Sequence, residues 1–182
     1  MPFIQTEFSG LIVFEPTVFA DSRGYFFESY STQLFATAGI NTEFVQDNES
    51  KSNYGVLRGL HYQRNPKAQA KLVRVVEGEV LDVVVDIRVN SPTFGRYFSI
   101  RLSAENKKQL FIPHGFAHGF AVLSDTCVFQ YKCDQYYSKE DEGGIFYNDS
   151  TLGIDWEIDL SQAVVSDKDK AQPTFGDHIS NF

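Results

Sequence analysis

Long hydrophobic runs are missing from this chain of 182 residues. No apolar stretch approaches the ~20 residues that a membrane-spanning helix needs. The N-terminus has neither a charged n-region nor a long apolar h-region, so nothing in it reads as a secretion signal and the cytoplasm is the expected compartment. Cysteine is scarce, with only Cys127 and Cys133 present. Six positions apart on one extended strand, they stand too far apart to bridge. They read as small core or pocket residues in a reducing compartment. Positive charge is in deficit: 16 Lys and Arg against 24 Asp and Glu give a net charge of −8. No basic stripe offsets it, which argues against a nucleic-acid partner. An anionic ligand would have to be held by a few local Arg and Lys residues. Neither an internal repeat nor a low-complexity linker is visible, so residues 1–182 read as one domain.

What the chain does have is aromatic and β-forming residues. Seventeen Phe and nine Tyr favour β structure and supply rings to line a pocket. Leu11 to Phe14 reads as a short strand. Ser31 to Gly39 reads as a short helix, with Ser31 as N-cap and Gly39 as C-terminal stop. The Val-rich runs Lys71 to Val76 and Val80 to Arg88 read as strands joined by a hairpin turn at Glu77-Gly78. Phe98 to Leu102, Gln109 to Ile112 and Gly119 to Leu123 continue the series, separated by turn material. Cys127 to Tyr137 alternates most cleanly. Cys127, Phe129, Tyr131 and Cys133 share the inward parity, and Val128, Gln130, Lys132 and Asp134 the outward one. Ser166 to Lys170 caps a short helix. Many short strands with few helices imply a sandwich or barrel able to enclose a small ligand.

Candidate chemistry gathers in a few places. Pro113-His-Gly-Phe-Ala-His118 matches half of the signature of cupin jelly rolls. The H-x-H segment that supplies the other metal ligands does not occur, since the four His are His61, His114, His118 and His178. His118 is open between pocket donor and structural hydrogen bond, and His114 reads as a loop residue with no role. His61, in Leu57-Arg-Gly-Leu-His61, is the best general-base candidate, because imidazole titrates nearest neutrality; a structural role competes. Arg23 beside Gly24 suits a phosphate, or an ordinary turn. Tyr131 on pattern alone is core, with a phenol that wants a partner. Lys71, by default, snorkels to solvent.

Taken together, the motifs resemble the dTDP-4-dehydrorhamnose 3,5-epimerase family of deoxysugar biosynthesis. The resemblance runs from about Phe14 to Pro173. It is carried by Asp21-x-Arg-Gly-Tyr-Phe-Phe-Glu28, Phe44-Val-Gln-Asp-Asn48, Leu57-Arg-Gly-Leu-His61 and Gln69-x-Lys71-Leu-Val-Arg. It continues through Asp86-Ile-Arg, Ser91-Pro-Thr-Phe-Gly95, Ser103-Ala-Glu-Asn-Lys107, Ile112-Pro-x-Gly-Phe-Ala-His-Gly-Phe120 and Tyr136-Tyr-Ser138. Each is weak alone; in order and at compatible spacing they are highly specific.

The resemblance implies an all-β, cupin-type jelly-roll barrel with a few short helices, a homodimer, and catalysis without metal or organic cofactor. It implies dTDP-4-dehydro-6-deoxy-D-glucose as substrate and dTDP-4-dehydro-L-rhamnose as product. By the same resemblance His61 is the base, Asp169 the carboxylate that orients it (with Asp167 as competitor), Lys71 the group that stabilises charge on the C4 oxygen, and Tyr131 the acid on the opposite face. Arg23 and Arg58 match residues that hold the pyrophosphate or nucleotide. Glu28, Gln46 and Asn48 match thymidine-side or sugar contacts, and His118, Glu142 and Lys168 further ligand contacts. Some of these would be reached across the dimer interface. A single-carbon epimerase on a related 4-keto sugar, a keto-isomerase of similar fold and a binding-only jelly roll are the alternatives.

Overall fold

A computed structural model describes residues 2–182. The chain runs through β1 (Phe3–Gln5), β2 (Ile12–Phe14), β3 (Phe19–Asp21), β4 (Gly24–Phe26), α1 (Thr32–Ala36), β5 (Gln46–Asn53), β6 (Val56–Gln63) and β7 (Lys71–Glu77). It continues through β8 (Glu79–Asp86), β9 (Tyr97–Ser103), β10 (Gln109–Ile112), β11 (Phe116–Val122), β12 (Thr126–Cys133), β13 (Glu142–Gly144), β14 (Val164–Val165) and α2 (Asp167–Lys170).

Two sheets face each other. One has the order β1-β2-β10-β7-β12-β5; the other has β13-β6-β11-β8-β9, with β14 added parallel to β6. This is the jelly-roll plan, with the sheets apposed and not closed into one ladder. Alternation places every second side chain between them. Val73, Val84, Phe116, Phe120, Phe129 and Ile112 fill that space. Phe120 and Phe129, from opposite sheets, stack with centroids 4.3 Å apart.

Each sheet is also covered on its outer face. α1 lays Phe35 over Ile12, Phe14, Leu72 and Phe111. The segment after β13 lays Ile145, Leu152 and Trp156 over Leu57, Leu81, Val83 and Val85. β8 is thus covered on both faces, which is why it reads as a near-continuous apolar run. Asp82 interrupts that run and is fully buried. Among the described residues, no helix is long and apolar enough to cross a membrane.

Local expectations fare unevenly. Ser31 caps α1, its hydroxyl accepting from the Leu34 amide, and Ser166 caps α2 in the same way through Asp169. The inward parity of β12 holds: Cys127, Phe129 and Cys133 are each 1% exposed. That strand ends at Cys133, short of Tyr137. The hairpin at Glu77-Gly78 is wrong. β7 pairs with β10 and β12, while β8 pairs with β9 and β11, so Gly78 carries the chain from one sheet to the other. Gly78 has φ +80°, and a Cβ there would lie 2.0 Å from the Thr126 carbonyl oxygen. The crossing, not a tight hairpin, demands the glycine.

Candidate active site

A cavity of ≈ 660 Å³ opens between the two sheets, with Phe120 and Phe129 in its lining. A second lobe of ≈ 190 Å³ shares Asn48, His61, Lys71 and Tyr131 with it. These four residues therefore stand where the lobes meet. β6 and β11 supply one wall, and β5, β7 and β12 the other.

On the first wall, His61 Nε2 lies 2.6 Å from Asp169 Oδ1. Asp169 is 3% exposed, and its other oxygen accepts from the Gly59 amide at 3.3 Å. Burial opposes its ionisation, yet the bonds from His61, Gly59 and Ser166 outweigh it and hold the carboxyl below the usual carboxylate value. The ambiguity between the two tail carboxylates is thereby resolved in geometry. Asp167 points to solvent near Lys170, and Asp169 meets the imidazole. Arg58 also faces the cavity, its guanidinium donating to Ser52 Oγ at 3.1 and 3.2 Å.

On the facing wall, Lys71 opens β7 and turns inward. It does not snorkel to solvent. Burial lowers its pKa, offset in part by Cys133, Asp82 and Glu142, and its ammonium lies 5.8 Å from the Tyr131 ring centre. The Tyr131 phenol has its pKa raised, chiefly by burial and then by Cys133, so it stays protonated at neutral pH. The Cys133 thiol is pushed up to about 11, again by burial first, and accepts a weak bond from Asn48.

The remaining expected ligand contacts divide. Gln46 and Asn48 turn inward from β5, bonded to each other at 2.9 Å. Glu142 receives bonds from Tyr137 and Lys168 at the cavity rim, and these outweigh burial to hold its pKa low. His118 lines the cavity but is also tied to Asp82, at 2.9 Å. Arg23 and Glu28 are not brought to the cavity by their own chain. Arg23 sits on the exposed β3–β4 hairpin, paired with Asp21, and Glu28 is exposed beyond it. His114 pairs with Asp134 and lines neither lobe.

Sequence reading missed Asp82, Ser52 and Tyr137. A charge inside the apolar run of β8 was a usable signal for Asp82, and Tyr137 lay within the motif Tyr136-Tyr-Ser138; Ser52 carried none. Among the described residues no three His, Cys, Asp or Glu converge as a metal-holding group.

The chain is similar to known proteins along almost its whole length. The profile described as dTDP-4-dehydrorhamnose 3,5-epimerase matches residues 5–177. The dTDP-4-dehydrorhamnose 3,5-epimerase of Shigella flexneri is 55% identical over 170 residues, covering 93% of each chain. The crystal structure of the Legionella pneumophila dTDP-6-deoxy-D-glucose-3,5-epimerase, in complex with dTDP-4-keto-L-rhamnose, superposes with a TM-score of 0.91 at 48% identity, covering 96% of this chain and 92% of that one. A 3'-monoepimerase from Streptomyces bikiniensis in complex with dTDP-quinovose follows at TM-score 0.88 and 34% identity, covering 94% and 86%. Fold and comparisons together define the class, a cupin-like epimerase. More narrowly, the chain belongs to the dTDP-4-dehydrorhamnose 3,5-epimerase family.

Proposed function

We propose that this chain converts dTDP-4-dehydro-6-deoxy-D-glucose into dTDP-4-dehydro-L-rhamnose, in the cytoplasm, as a single jelly-roll domain that needs no metal or organic cofactor. The observation that carries the reading is the placement of His61 and Tyr131 on facing walls of one cavity, with Lys71 beside Tyr131.

The substrate's C4 ketone acidifies the protons at C3 and C5, because the carbanion delocalises as an enolate. His61, backed by the Asp169 carboxylate, takes the proton on one face of the ring. The positive charge at Lys71 stabilises the developing C4 oxyanion. Tyr131, still protonated, returns a proton from the other face. Inversion needs two groups on two faces, and the facing sheets provide them. Arg58 and Lys168 offer the positive charge for a pyrophosphate. Gln46, Asn48, His118 and Glu142 offer polar contacts to sugar and base.

The reading includes a homodimer. Phe19, Tyr25 and Phe26 on the β3–β4 hairpin are 64%, 60% and 70% exposed. Large rings so exposed mark an interaction surface. The hairpin is the arm that would carry Arg23 and Glu28 into the partner's cavity, where they would meet the nucleotide.

The test is proton NMR of the product. Appearance of the L-rhamno coupling pattern supports double epimerisation. A product inverted at one carbon supports the narrower activity of the Streptomyces bikiniensis relative, and unchanged substrate rejects both.

A further inference from the structure

Gly143 and Gly144 close β13 against β6, Gly144 opposite His61 and Gly143 opposite Tyr62. Neither glycine lies in the left-handed region, so the backbone itself does not call for glycine at either position. Space does. A Cβ on Gly144 would lie 2.4 Å from Cδ, 2.5 Å from Oε1 and 2.7 Å from Nε2 of Gln172. Cross-strand partners turn their side chains to the same face. The carboxamide of Gln172 therefore fills the place where the side chain next to His61 would stand.

Gln172 is tied to the backbone of Asp169, the residue whose carboxylate meets His61. It stands two residues beyond the end of α2, and its backbone amide donates to the backbone carbonyl of Asp169 at 3.5 Å. One residue further on, the Pro173 carbonyl accepts from the Phe146 amide at 2.7 Å, which pins the tail just beyond β13. A four-residue helix has little rigidity of its own. Its C-terminal side is fixed by this wedge and this pin, its N-terminal side by β14 on β6.

We propose that Gln172 is a positioning residue for the His61–Asp169 pair, wedged into the slot that Gly144 leaves empty. The inference rests on the reading of that pair as the base and its support. Gln172 contributes volume: its carboxamide occupies the space where a Gly144 side chain would stand. A loosened pair loses transition-state geometry, where displacements of an ångström cost up to about a hundredfold.

The test is steady-state kinetics of the full chain with dTDP-4-dehydro-6-deoxy-D-glucose, with wild type and Asp169→Asn alongside. Gln172→Ala is expected to lower kcat about tenfold with KM held within about twofold. Gln172→Met, similar in length and volume, is expected to restore kcat to within about twofold of wild type. Gly144→Ala, which expels the wedge, is expected to match Gln172→Ala; should it fold poorly, the two half-exposed Gln172 variants still decide the matter. An unchanged kcat in Gln172→Ala beside an impaired Asp169→Asn overturns the wedge alone. A raised KM at unchanged kcat makes Gln172 a binding residue and also overturns it. Full activity in Asp169→Asn removes the reading on which the wedge depends.

Discussion

Arg58 and His61 are three positions apart on β6, yet both face the same cavity. In a regular strand, residues an odd number apart face opposite sides. The pairing of β6 with β11 explains the exception. His118 pairs with His61 and Phe120 with Arg58, so one extra residue is inserted on β6. Such a bulge re-aims the side chains that flank it. Gly59 lies in it at φ +132°, and a Cβ there would lie 2.5 Å from Gly119 Cα. Gly59→Ala is therefore expected to destabilise the fold by about 2–3 kcal/mol. Urea denaturation checks this, and an unshifted midpoint would refute the packing argument.

Asp169 backs His61 from a buried position, so Asp169→Asn is expected to lower kcat by on the order of a hundredfold or more while the chain still folds. The same pair has a signature in stability. The folded carboxyl titrates below its usual value. Its contribution is complete above the unfolded-chain value of about 3.9 and is lost as pH falls through the lower folded value. Melting temperatures of wild type and Asp169→Asn are expected to differ at pH 7 and to converge in acid. A gap that persists or widens there would contradict the linkage.

Tyr131→Phe removes one hydroxyl and leaves the ring that packs near Phe129 and Lys71. Net epimerisation is expected to slow by roughly a hundredfold, with KM little changed. Proton loss to His61 stays possible, so exchange of substrate protons with solvent is expected to outlast inversion. Turnover at the wild-type rate would remove Tyr131 from the acid role.

Arg23 is expected to act on the partner's cavity. Arg23→Ala and His61→Ala are each expected to be nearly inactive as homodimers. Co-refolded in equal amounts, half of the dimers are mixed, and each mixed dimer has one complete site. Recovery of about a quarter of wild-type turnover is then expected. No recovery on mixing would place Arg23 outside the partner's site.

How much of this was legible beforehand follows from what each strand faces. β12 could be read because its inward side is apolar, apart from the Tyr131 hydroxyl, and its outward side polar, apart from Val128. β5, Gln-Asp-Asn-Glu-Ser-Lys-Ser-Asn, could not be read as a strand. It lies at a sheet edge, and its inward residues line a polar cavity, so both faces are polar. β6 was obscured by its bulge, which breaks the period of two between Arg58 and His61. His61 and Lys71 were legible through ordered motifs, while the partner of His61 was ambiguous because Asp167 and Asp169 both lie near a helix start. Capping by Ser166 and burial against Gly59 separate them, and both are tertiary facts.

His61 is expected to remove protons on both sides of the C4 ketone. Proton NMR of dTDP-4-dehydro-6-deoxy-D-glucose in deuterated water, with wild type and His61→Ala in parallel, tests it most directly. Deuterium at both C3 and C5 with wild type, and at neither with His61→Ala, is the predicted result. Near-normal exchange in His61→Ala would contradict it.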